Sequence, residues 1–160
     1  MSQQEIHSAI TALADTPVRI SKATENVSPS SLHLTTDEET WSVNDVLAHL
    51  RACADVWGGS IEKMIAQDHP TIRYVSPRTR MRKKNYSALP FNDNLEAFVS
   101  QRSGLLDLLR GLPAESWSRG ATFTATTRGR EQTVLSYAAR LAEHESGHCR
   151  QIEELVELYR

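Results

Sequence analysis

Residues 141–152 read Leu141-Ala142-Glu143-His144-Glu145-Ser146-Gly147-His148-Cys149-Arg150-Gln151-Ile152, and two histidines four apart in this run direct the reading of the whole chain. Apolar residues continue the pattern on either side, at Val134, Tyr137, Leu155 and Tyr159. That spacing marks one buried helical face and predicts a helix from Thr133 nearly to the C-terminus. His144 and His148 thus stand where a bundle normally places aliphatic side chains. On an α-helix their directions differ by about 40° and they rise about 6 Å along one face, so two imidazoles can meet one ion.

Three further stretches share this periodicity. The first opens at Ser2, with Glu5 completing a capping-box pair, and buries Ile6, Ile10, Leu13 and Ile20. Pro17 predicts a kink or a break near Thr16. A polar connection from Asn26 to Thr40 follows. The second helix opens at Ser42, with Asp45 three residues on, and turns Val46, His49, Leu50, Cys53, Val56 and Trp57 inward. It runs to about Gln67, and Pro70 stops it. The third begins at Asn92 or Asp93, where Asp93 and Glu96 read as another capping pair, carries Leu95, Phe98, Val99, Arg102, Leu105, Leu106 and Leu109, and ends at Gly111. Residues 113–117 predict a turn of helix. Residues 121–131, rich in Thr and holding Gly129, predict either a small hairpin or an ordered loop. With no strong strand signal, the fold class is all-α, a four-helix bundle forming one domain over residues 1–160.

Composition removes several functions. Hydrophobic residues make up 39% of the 160 and charged residues 24%, which excludes a disordered chain. A net charge of −2 gives no overall attraction for nucleic acid or an anionic membrane. No apolar run approaches the roughly 20 residues that span a bilayer. The N-terminal residues lack a basic, apolar leader, and Cys53 and Cys149 are too few for a disulfide framework, so the expected compartment is the cytoplasm.

The six histidines divide into two groups. His7, His33 and His69 lie in polar or terminal contexts and read as surface. His49, His144 and His148 replace apolar residues on inward stripes. Three imidazoles buried together without a ligand leave polar nitrogens that cost about 1–3 kcal/mol each when unpaired. These three are therefore the expected ligands of one divalent metal ion. His144-Glu145-Ser146-Gly147-His148 also matches the H-E-x-x-H pattern of zinc proteases. The chain after His148 continues the same helix and cannot fold back with a third ligand, so a protease is set aside. Glu145 is expected at the flank of the stripe, within reach of a bound water.

The run Trp41-Ser42-Val43-Asn44-Asp45-Val46-Leu47-Ala48-His49-Leu50, together with residues 144–152, resembles the DinB/YfiT superfamily of bacterial metal-binding four-helix bundles. The resemblance spans essentially the whole chain. It implies an up-down-down-up bundle in which His49, His144 and His148 bind nickel, zinc or a similar ion. It also implies a homodimer and a metal-dependent S-transferase or isomerase that uses bacillithiol, mycothiol or a related low-molecular-weight thiol.

Three protein ligands leave a coordination position open, and an ion there can activate a thiol or a water. Within the basic connection of residues 70–90, Arg78, Arg80 and Arg82 are the candidates for binding the carboxylates of such a thiol. Cys53, one turn after His49, reads either as a fourth, soft ligand or as a small core residue. The competing function is a non-enzymatic stress-response or binding module whose metal is structural. A closed four-ligand site would favour it.

Overall fold

The capping signals at Ser2 and Ser42 are made as hydrogen bonds in the computed structural model, which describes residues 2–127 and 129–160. The pair expected at Asp93 and Glu96 is not, because the helix there starts earlier, after Pro90, with no side-chain cap. Ser2 and Glu5 exchange reciprocal bonds at the start of α1 (Gln3–Thr24). Ser42 and Asp45 do the same for α3 (Val43–Cys53), and Thr133 and Ser136 for α7 (Val134–Glu157). A single turn, α2 (Pro29–Leu32), interrupts the first connection. A π-helical turn, Ala54–Gly58, joins α3 to α4 (Gly59–Ala66) without breaking the rod. The third rod is α6 (Phe91–Arg110).

Side-chain contacts fix the direction of each rod. Thr16 meets Glu145 and Arg19 meets Glu153, so α1 and α7 run parallel. Asn44 meets Asn94 and Asp55 meets Gln101, so α3 and α6 also run parallel. His49 lies beside His148 and Trp57 beside Tyr137, which makes the two pairs antiparallel. The result is an up-down-down-up four-helix bundle. The long chain between α4 and α6 is what lets two consecutive rods point the same way.

That connection is more ordered than its composition predicts. It holds β1 (Thr71–Arg73), α5 (Pro77–Lys84) and a 3₁₀ turn at Tyr86–Ala88. Strand β1 pairs parallel with β2 (Gly120–Thr124), Ile72 opposite Phe123, and β2 pairs antiparallel with β3 (Glu131–Thr133). The hairpin alternative for residues 121–131 is therefore the one realised. Ile72, Ala121 and Phe123 turn inward and close one end of the bundle core.

Pro17 neither breaks nor ends α1. It removes the amide that would bond the Leu13 carbonyl, and the Arg102 Nη1 of α6 donates to that carbonyl instead, at 2.9 Å. The same guanidinium grips both carboxylate oxygens of Glu145, whose Oε2 also accepts from the Thr16 hydroxyl at 2.9 Å. Arg102 and Glu145 are 1% and 0% exposed, so this is an ion pair in the bundle core. It corrects the sequence reading of Glu145 as a flank residue near the metal site. Cys149 is buried in the same apolar cluster as Ile20, Val46 and Ile152.

Candidate metal centre

His49, His144 and His148 meet where α3 faces α7. Helix α3 carries His49 between Val46, Leu50 and Cys53, and the capping box at Ser42 and Asp45 fixes where its turns begin. Ring centroids lie 4.9 Å apart for His49 and His148, 5.3 Å for His49 and His144, and 4.5 Å for His144 and His148. The Nε2 atoms of His144 and His148 face each other at 3.2 Å. Cys53 Sγ lies 3.5 Å from His49 Nε2. Ligand atoms of His49, Cys53 and His144 all fall within 4.8 Å of one another, a grouping that can hold a metal ion.

Several features fit a cation. His49 is 93% buried by its exposure of 7%, and its Nδ1 has no hydrogen-bond partner. Burial, reinforced by His148, His144 and Arg78, pushes His49 down to about 3, so its ring is neutral and keeps a lone pair at physiological pH. Gln151 Oε1 lies 2.8 Å from His148 Nδ1. An acceptor there makes Nδ1 the donor and leaves Nε2 directed at the cluster, the outer-sphere support usual for a ligating histidine. Burial pushes the Cys53 thiol up to about 12, with Glu145 adding to the shift. Without a cation it is a neutral thiol.

Aromatic side chains wall the cluster. Trp41 lies 5.1 Å from His49, and Trp57 lies 5.7 Å from His144 and 5.6 Å from Tyr137. The π-helical turn carries Trp57 to that position, inserting its extra residue directly after Cys53. The guanidinium of Arg78 stacks 4.8 Å from the Trp41 ring, at the edge of the site. His7, His33 and His69 are exposed.

The three arginines singled out in the sequence have different surroundings. Arg78 is the one beside the histidines. Arg80 Nε donates to Asp55 Oδ2 at 3.1 Å, and Arg82 is exposed in the last turn of α5. Asp55, which the sequence reading passed over, also accepts from the Tyr86 hydroxyl at 2.5 Å and from Gln101 at 2.9 Å. Arg51 stacks over the Tyr86 ring at 3.9 Å. Asp55 thus ties α5 and α6 to the bundle, which holds Arg78 in place. Glu145 is the other residue misjudged. Its helical neighbour relation to His144 gave no sign that a cation from α6 would claim it.

The fold has a counterpart among known proteins. A family model described as the DinB superfamily matches residues 12–152. The chain belongs to the DinB superfamily. Among solved structures, this DinB-superfamily chain is similar to YfiT from Bacillus subtilis, described as a probable metal-dependent hydrolase with an unusual four-helix bundle topology. That match has a TM-score of 0.84 at 20% identity and covers 98% of this chain and 89% of the other. It is also similar to the mycothiol-dependent maleylpyruvate isomerase, with a TM-score of 0.70 at 16% identity. There the match covers 92% of this chain and 60% of the other, so the isomerase is the longer protein. At these identities the likeness is one of fold. Curated proteins provide no match.

Proposed function

We propose that the protein binds one divalent metal ion, nickel or zinc, through His49, His144 and His148, and works as a low-molecular-weight-thiol S-transferase or isomerase. The observation that carries this reading is the convergence of three imidazoles from α3 and α7, with a buried, unpartnered His49 Nδ1 among them. The relatives in fold support it, one described as a probable metal-dependent hydrolase and the other as mycothiol-dependent. When bound, the ion supplies Lewis acidity, lowering the pKa of a thiol so that it is nucleophilic at neutral pH.

The chain's own side chains do the rest. Gln151 orients His148 through Nδ1. Trp41 and Trp57 shield the cluster from bulk water on two sides. Arg78, held over Trp41 at the edge of the cluster, pairs with a carboxylate of the thiol or of its electrophilic partner. Arg80 supports that arrangement through Asp55, and Arg82 extends the positive field along α5. The active form is a cytoplasmic homodimer in this reading.

The test is a metal-loaded transfer assay with cysteine-containing low-molecular-weight thiols and an electrophilic acceptor. Thiol consumption is expected, with Arg78→Ala raising KM for the carboxylated thiol roughly tenfold and leaving kcat nearly unchanged. Absence of turnover with every thiol, from protein that retains its metal, would show the metal to be structural.

A further inference from the structure

We propose that Cys53 is a fourth, exchangeable protein ligand in an imidazole–thiolate site, which is therefore not closed, because a substrate thiol would take the place of the resident one. This rests on the metal-binding reading above and goes beyond its three-histidine set.

The geometry is a pair of pairs. His49 and Cys53 stand four residues apart on α3, as His144 and His148 do on α7, and the two helices face each other antiparallel. Each i, i+4 pair sets two donor atoms on one face, so facing pairs make a four-donor cage of the kind found in the interior of helix bundles. Distances place three of the four donors together: Cys53 Sγ is 3.5 Å from His49 Nε2, and the donors of His49, Cys53 and His144 lie within 4.8 Å of one another. His148 joins them through His144, their Nε2 atoms 3.2 Å apart. Cys53 is 1% exposed, and its sulfur meets the His49 ring. His49 is itself more than nine-tenths buried, and its Nδ1 has no partner.

A mixed set of nitrogen donors and one thiolate suits a borderline or soft cation such as zinc over a hard one such as magnesium. It also shapes the thiol chemistry. With the ion bound, a substrate thiol would give its proton to Cys53 in replacing it, leaving Cys53 a neutral thiol suited to its apolar surroundings, with no change in oxidation state. The exchange is thiolate for thiolate, which favours thiols over water or carboxylates at the position.

The experiment is X-ray absorption on the zinc-loaded wild-type protein, together with cobalt(II) titration of the metal-free protein. One sulfur scatterer at about 2.3 Å, with the remaining nitrogens at about 2.0–2.1 Å, is expected. Cobalt is expected to give thiolate-to-metal charge-transfer absorption in the near ultraviolet. That absorption should vanish in Cys53→Ser, which still binds cobalt, and persist in Cys149→Ser. A first shell of nitrogen and oxygen alone, or a charge-transfer band surviving in Cys53→Ser, overturns Cys53 as a ligand and leaves the three-histidine reading intact. Failure to bind zinc or cobalt overturns both. The absorption measurement uses unaltered protein, so a variant that does not fold leaves it decisive.

Discussion

Arg102 of α6 donates to the carbonyl of Leu13 in α1, the one acceptor that Pro17 deprives of its helical partner. A residue that reads as a helix breaker is thereby compensated from a neighbouring rod, and the compensating cation is itself neutralised by Glu145 of α7. Three of the four rods are joined at this point.

That junction predicts an asymmetric mutational response. Glu145→Leu leaves Arg102 buried with its charge uncompensated and should destabilise the fold by about 3–5 kcal/mol. Adding Arg102→Met removes the stranded charge. The remaining loss is then the unsatisfied Leu13 carbonyl, about 1–3 kcal/mol. Urea unfolding of both variants checks this. A double variant less stable than Glu145→Leu alone would contradict it.

Two glycines should respond in opposite directions. Gly104 lies exposed within α6, and a Cβ there meets nothing within 4 Å. Gly104→Ala should raise stability by about 1 kcal/mol through helix propensity. At Gly120 a Cβ would lie 2.7 Å from the backbone oxygen of Gln132, across the β2–β3 pairing. Gly120→Ala should cost about 1–3 kcal/mol as the hairpin shifts. Thermal melts of the two single variants suffice.

Tyr86 should make the fold sensitive to alkali. Burial, then its hydrogen bond to Asp55 and the charge of that carboxylate, raise its pKa above the ordinary 10.0. The folded state therefore holds this proton where the unfolded chain releases it. The stabilisation is full below pH 10.0 and is lost as pH rises through the folded value. Stability measured from pH 9 to 12 should fall more steeply in wild type than in Tyr86→Phe, in steps of about one pH unit. Parallel profiles would remove Tyr86 as the cause.

Much of the fold was legible because its signals are local. The boxes at Ser2 and Ser42 act within one turn, and the stripes of α3 and α7 repeat over several. The same periodicity put His49, His144 and His148 on inward faces. What escaped depends on partners distant in sequence. Strand β1 is three residues long, too short for an alternating pattern, and forms by pairing with β2 some fifty residues later. Pro17 is tolerated because of Arg102, and Glu145 turns from the site because of the same side chain. Arg78 and Arg80 look equivalent in a basic run, yet Asp55 takes one and Trp41 the other.

Elemental analysis of untagged protein, with thermal melting before and after chelation, asks whether the imidazoles of α3 and α7 hold a metal ion. About one equivalent of nickel, zinc or a similar ion is expected. The melting temperature should fall on chelation and recover when the ion is restored, with both effects lost in His144→Ala/His148→Ala but not in His33→Ala or His69→Ala. Stoichiometric metal retained by the double variant, or a wild-type protein that neither contains nor is stabilised by divalent ions, would contradict a metal ion held there.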